Sequence, residues 1–251
     1  MNNEAIIKSA ILAGKIILEA GGETYRVEDT MNRILSAYGI VNAQSFVTPT
    51  GIMMSGEHAD GSTISQVRRI KEISVDLEKI FLVNDLSRKI IEKHLTAEEF
   101  TLELEAILAR PYYPLWVTLC FSGFAAFSFT VILHGSWIEA LSAFTAGILV
   151  YITRRIARSL HLNSFLQNAM GGFIAVVIGT IFKAVGIIPT TSIMIIGTIM
   201  LLVPGITITN AIRDTFQGDY LSGITRAVEA FVTAAGIAFG TGLGFILMGV
   251  I

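Results

Sequence analysis

The chain has 251 residues, 53% of them hydrophobic and 15% charged, with a formal net charge of -2 and a mean hydropathy of +0.66. Soluble globular chains carry about a quarter charged residues, so a wholly soluble protein is excluded, and the slightly acidic balance argues against nucleic-acid binding. The one cysteine, Cys120, excludes an intrachain disulfide, and its apolar surroundings predict a small buried hydrophobe.

The charge deficit is uneven. Between Pro111 and Ile251 the charged residues are Glu139, Arg154, Arg155, Arg158, Lys183, Arg213, Asp214, Asp219, Arg226 and Glu229. All the others lie in residues 1–110. The expectation is therefore an α+β soluble N-terminal domain over 1–110, followed by an all-α membrane domain over 111–251. Glu4 and Lys8 interrupt the first apolar stretch, so the N-terminus is not expected to be a cleaved secretory signal.

Ile6, Ile7, Ala10, Ile11, Gly14, Ile17 and Leu18 recur at helical spacing and predict an amphipathic helix over 4–20, closed by Gly21-Gly22. A second helix is expected from Glu23 to Tyr38, with Val27, Met31, Ile34 and Leu35 on its apolar face. From Ile40 to Ile70 the helical period is lost. Pro49-Thr50-Gly51 and Asp60-Gly61 mark turns, which divide the stretch into three short antiparallel strands near 42–48, 51–57 and 62–69. Helices at 75–94 and 97–109 follow, the second opened by Thr96 with Glu99 three residues on. Helices packed on a small antiparallel sheet are the expected N-terminal fold.

Beyond Pro111, apolar stretches of membrane-spanning length fall at about 114–133, 137–153, 164–183, 187–209 and 224–249. Trp116 and Trp137 sit near span ends, where indoles favour the interface. Loops expected after the second and fourth spans, with the start of the fifth, hold Arg154, Arg155, Arg158, Arg213 and Arg226, against Lys183 on the other side. That bias puts the N-terminal domain in the cytoplasm and the protein in the cytoplasmic (inner) cell membrane as a multi-pass protein.

No enzyme signature stands up: the sequence lacks a GxxxxGK[ST] phosphate loop, an HExxH pair and a CxxC, and its histidines are dispersed. No metal site or cofactor is implied. The informative segment runs from Leu201 to Asp214. Pro204 cannot donate to the helix ladder and Gly205 relaxes its backbone, so the fourth span should break there. Such a break is tolerated at membrane depth where freed backbone faces protein or a watery cavity. Thr207, Thr209 and Asn210 then supply polar groups for a substrate, and Arg213 or Arg226 would attract a carboxylate. In the fifth span Arg226, Glu229, Thr233, Gly236, Gly240 and Gly244 share one face. Its glycines invite a close helix neighbour, and Glu229 is the candidate proton carrier. An intrahelical Arg226–Glu229 pair is the plainer account of the two charges. In the N-terminal domain, Arg26 and Glu28 need partners from elsewhere, because as near neighbours they do not face each other.

Gly22-Glu-Thr-Tyr-Arg-Val-Glu28, Thr48-Pro-Thr-Gly51, Pro204-Gly205, Thr209-Asn-Ala-Ile-Arg-Asp214 and Gly218-Asp219 through Ser222-Gly223, Arg226 and Glu229 together resemble the threonine/serine exporter family. The likeness is to its N-terminal half, the large subunit of the two-component type. The resemblance implies export of a small amino acid, threonine or serine, or of a dicarboxylate such as succinate, driven by an ion gradient, the proton above all. Gating or interdomain roles are expected for Arg26, Glu28, Thr48, Pro49, Thr50 and Gly51. It further implies a separate small membrane subunit carrying a second block of spans. An odd number of spans here would give that block the opposite topology, a pairing that self-association alone would not supply. The partners expected are thus this subunit, further copies of the chain, a small-molecule substrate and the lipid bilayer, with no nucleic acid. A membrane-anchored hydrolase acting through Thr24, Arg26, Glu28 and Thr48 is the alternative, although no nucleophile there has an obvious base.

Overall fold

The structure is a computed structural model that describes residues 3–40, 42–57, 63–111 and 113–249. It divides into two compact units, one formed by Met1–Pro111 with Ile206–Ala227 and the other by Tyr112–Gly205 with Val228–Ile251.

The first unit is built around α1 (Asn3–Glu19). The predicted stripe is buried, and so are Ala13 and Ile16 outside it, because α2 (Thr24–Ala37), α3 (Leu77–Lys93), α4 (Ala97–Leu108) and the sheet surround α1. Helix α1 ends as its terminal glycines dictate. The Gly22 N–H donates to Ile17 O at 2.9 Å and the Gly21 N–H to Leu18 O at 3.1 Å, a wrap that requires the left-handed Gly21 at φ 86°. Strands β1 (Gln44–Thr48), β2 (Gly51–Glu57) and β3 (Thr63–Arg69) form an antiparallel sheet in the order β1-β2-β3. Val47 pairs with Ile52 across the first hairpin, and both are fully buried. Alternation leaves Phe46, Met53 and Val67, aligned with one another, on the exposed face. The predicted Pro49-Thr50 turn joins β1 to β2. The Asp60-Gly61 turn lies outside the described residues. Helix α4 opens with the expected capping box, in which the Glu99 N–H donates to Thr96 Oγ1 and the Thr96 N–H to Glu99 Oε2.

The second unit contains α5 (Leu115–Ile132), α6 (Trp137–Ser159), α7 (Ser164–Ala184) and α8 (Ser192–Ile199). After the break come α9 (Gly205–Phe216) and α10 (Tyr220–Leu247). Among the described residues four helices, α5, α6, α7 and α10, are long and apolar enough to cross a membrane. The protein is a membrane protein. The fourth stretch predicted from the sequence is divided between α8 and α9, neither of which reaches spanning length. Helix α6 runs on to Ser159, so Arg154, Arg155 and Arg158 occupy its last turns rather than a loop.

Small residues set the helix spacing in the second unit. A Cβ on Gly147 of α6 would stand 2.8 Å from both Ala126 Cβ and Ser122 O of α5. On α10, Gly236 and Gly240 lie against the carbonyls of Phe165 and Ala169, and Gly244 lies against Val176, all on α7. The glycine face read from the sequence is thus a backbone-to-backbone seam. Glu139 begins α6 in a capping box with Ser136 and accepts a hydrogen bond from Thr190 Oγ1 at 2.8 Å. Cys120, expected to be buried, is instead exposed on α5. Helix α5 is the least enclosed of the candidate spans, and hydrophobicity alone does not distinguish a protein-facing from a lipid-facing position.

Candidate functional site

The break before α9 has a stepwise local cause. Met200 N–H still bonds Ile196 O in α-helical fashion, but Leu201, Leu202 and Val203 bond Thr198, Ile199 and Met200 in tighter three-residue turns. Pro204 has no N–H to continue the ladder, and Gly205 N–H turns back to Val203 O at 2.8 Å. Helix α9 starts afresh, and its first residues carry Thr207, which is half-buried, and Thr209, which is exposed.

Asn210, Asp214 and Arg226 lie in the first unit and are buried there. The Asn210 side-chain amide donates to the carbonyl of Gly21 at 3.0 Å. Thr24, the first residue of α2, donates its hydroxyl to Asp214 Oδ1 at 3.0 Å. Arg226, in the second turn of α10, donates through Nη2 to the Gly22 carbonyl at 2.7 Å. Its Nε stands 2.9 Å from Asp214 Oδ2, with side-chain exposures of 3% and 0%. That approach is a close ion contact whose direction misses hydrogen-bond geometry, so Asp214 Oδ2 and Arg226 Nε are both left without a hydrogen bond. Ser222, one turn before Arg226 on α10, is fully buried with an equally unpartnered hydroxyl.

A more accessible layer of charge adjoins this pair. Glu23 receives a hydrogen bond from Arg26 Nε at 2.6 Å and another from Arg213 Nη1. Burial pushes the Glu23 carboxyl upward, but the Arg26 hydrogen bond, its own backbone and the two guanidinium charges outweigh burial and hold it below the ordinary range. For Asp214 the balance is reversed. Burial raises its carboxyl above the ordinary aspartate value, against the opposing pull of Thr24 and Arg226, and the nearby Asp219 adds to the rise. Glu28 is also raised, by burial first and by Asp219 to a smaller degree, while the Val47 N–H that it accepts at 2.9 Å opposes the shift.

The structure therefore brings Asn210, Arg213 and Arg226 to the N-terminal end of α2, while Thr209 is exposed on α9. Arg26 finds its partner in Glu23, the residue just before its helix, and Glu28 finds its partner on β1. Thr48, Pro49, Thr50 and Gly51 form the β1–β2 turn, with Thr48 Oγ1 donating to Gly51 O at 3.4 Å. Arg226 engages Asp214 and Gly22 instead of Glu229. Glu229 is exposed on α10 and makes no hydrogen bond or ion pair among the described residues. Sequence reasoning missed Asp214, Glu23 and Thr24 as members of the cluster. The spacing of Asn210 and Asp214, one helical turn apart, was the available signal. Of the actors of the hydrolase alternative, Thr24 is engaged by Asp214, Arg26 by Glu23, Glu28 by the Val47 N–H and Thr48 by the carbonyl of Gly51.

The threonine/serine exporter family profile matches residues 8–248. A protein of Escherichia coli named "Probable succinate transporter subunit YjjP" is 23% identical over 234 residues, covering 92% of this chain and 90% of its own length. A "Probable threonine/serine exporter" of Mycobacterium tuberculosis is 22% identical over 243 residues, covering 96% of this chain and 46% of its own. The "Threonine/serine exporter" of Corynebacterium glutamicum is 24% identical over 254 residues, covering 95% and 50%. No solved structure matches the chain.

Proposed function

Because this chain belongs to the threonine/serine exporter family, a family of transporters and not of enzymes, we propose that it is one subunit of a secondary-active exporter. It moves a small carboxylate-bearing solute, an amino acid or a dicarboxylate, out of the cytoplasm at the expense of a proton gradient. The observation that carries this reading is the match over residues 8–248 joined to four candidate membrane spans. The protein sits in the cytoplasmic membrane with residues 1–110 in the cytoplasm, as the arginine bias supports. A separate small membrane subunit completes the transporter. Support comes from the relative named as a subunit, which this chain matches over 90% of its length, and from relatives about twice as long as the region they share with it.

In this reading the break at Pro204-Gly205 frees backbone for the solute path. Thr207, Thr209 and Asn210 line that path, and Arg213 and Arg226 draw the carboxylate toward it. Arg26, Glu28 and the turn Thr48–Gly51 belong to the gating side. Glu229, exposed on a candidate span and without a partner among the described residues, carries the proton, since an ionisable group within a span is costly without a role. The test is efflux from vesicles containing this chain and its companion subunit, loaded in turn with threonine, serine and succinate. Efflux should follow an imposed proton gradient and should lose that dependence in Glu229→Gln. Gradient-driven flux unchanged in the variant would remove Glu229 from the mechanism, and no efflux of any of the solutes would remove the exporter reading.

A further inference from the structure

Arg226 is the least satisfied buried cation of the first unit. A guanidinium offers five N–H donors, yet among the described residues Arg226 makes a single hydrogen bond, to Gly22 O. Its Asp214 contact is close but misdirected. Buried charges are retained at a cost unless they are paired and well hydrogen-bonded, and buried polar groups left unpaired call for a functional or structural reason. Here three such atoms, Asp214 Oδ2, Arg226 Nε and Ser222 Oγ, belong to one stretch of thirteen residues from 214 to 226.

An anion alone would suit Arg226 but would meet Asp214. A cation alone would suit Asp214 but would meet Arg226. A molecule carrying an ammonium and a carboxylate on adjacent atoms satisfies both, and replaces one misdirected contact with two charge-assisted hydrogen-bonded pairs. We infer that the Asp214–Arg226 pair is a self-occupied site for a zwitterionic α-amino acid, at which a proton and the substrate ammonium compete for Asp214. This rests on the exporter reading and deepens it, because the arginines by themselves do not distinguish an amino acid from a dicarboxylate.

In the closed arrangement the two side chains hold each other. An arriving amino acid parts them, its carboxylate on Arg226 and its ammonium on Asp214, with the Thr24 hydroxyl and the Ser222 hydroxyl at hand for a polar side chain. A proton on Asp214 cancels the charge that holds the ammonium and expels it. Occupancy by proton or substrate, but not both, is what exchange of one for the other requires. The charged groups acting on Asp214 are Arg226 from α10 and Asp219 from the α9–α10 turn, and beside them Glu23, the residue before α2, is paired with Arg213 of α9. Burial and Asp219 both favour the protonated form of Asp214 and outweigh the opposing pull of Thr24 and Arg226.

The test uses the full chain with its companion subunit in membrane vesicles, and measures equilibrium binding of labelled threonine and of labelled succinate between pH 5 and 8. Threonine should be displaced by protons in the wild type. Asp214→Asn should weaken threonine on the order of a hundredfold, the consequence of removing one member of a buried ion pair, and should abolish the proton competition. It should also leave succinate binding no weaker than in the wild type, since Arg226 is then free. Glu229→Gln should keep the competition even where it loses gradient drive. If Asp214→Asn does not reach the membrane, Asp214→Glu decides the matter: the competition should persist with a displaced midpoint. A wild-type midpoint in Asp214→Glu, equal effects of Asp214→Asn on both solutes, or wild-type binding of succinate but not threonine would each overturn the inference while leaving an exporter. Absence of export by the wild type would instead strike at the exporter reading.

Discussion

At the scale of single residues, burial decides which charges matter. Glu28 is one helical turn beyond Thr24, and its carboxyl is held above the ordinary value of 4.5 by burial, with Asp219 adding to the rise and the Val47 N–H opposing it. A raised value means that the folded chain keeps this proton to higher pH than the unfolded chain does. The associated stability is complete below the ordinary value and is lost as the pH rises through the raised one. Glu28→Gln stays neutral and still presents an oxygen to Val47, so it should flatten the decline in stability as the pH rises above 4.5. Unfolding midpoints measured across that range check this; an identical slope in both proteins would show that Glu28 titrates as a solvated carboxylate. Glu23 contrasts with it, since two arginines hold that carboxyl in its charged form. The Glu28 partnership was not legible from the sequence, whereas Arg26 stands three residues after Glu23, a spacing at which helical neighbours meet. Arg26 and Glu28 looked orphaned because a helix disposes near neighbours on different faces, and only the folded strand shows which backbone N–H meets Glu28.

At the scale of elements, glycine placement and helix ends account for most of what the sequence foretold. The Thr96 capping box, the Gly21-Gly22 stop and the strands divided at Pro49-Thr50 are local devices whose causes lie within a few residues, and they appear where the sequence puts them. The glycine face of α10 is another. A methyl group at Gly240 would stand 1.8 Å from the Ala169 carbonyl, which is backbone and cannot move aside, whereas Gly242 has nothing within 4 Å. Gly240→Ala should therefore destabilise the α7–α10 seam by about 1–3 kcal/mol or more, and Gly242→Ala should be close to neutral. Thermal unfolding of the purified variants in detergent reads this directly, and equal midpoints for the two would mean that the seam opens to admit the methyl. The fourth apolar stretch shows the limit of pattern. Its length suits a membrane span, but one proline, which lacks an N–H, separates it into two short helices.

At the scale of the molecule, residues 206–227 fold with the N-terminal unit although they are distant in sequence. A fragment of residues 1–110 lacks the partners of Thr24 and of the Gly21 and Gly22 carbonyls. It should unfold at a lower temperature than the same fragment joined by a linker to 206–227, by about 4–8 °C for each kcal/mol those contacts supply. Coincident midpoints would show that the segment adds nothing to the unit. The sequence by itself determined that this is a membrane protein with an α+β region ahead of its spans, where the fourth apolar stretch breaks, and to which family its motifs belong. The first two follow from composition, from period and from the chemistry of neighbouring residues, and the family from a resemblance carried by its ordered motifs. Tertiary structure alone decided that Asp214 faces Arg226, that Arg213 meets Glu23 and that Glu229 has no partner among the described residues. Arg213 meets Glu23 across 190 residues of chain, Asp214 meets Arg226 across the turn between two helices, and no periodicity along the chain encodes either meeting.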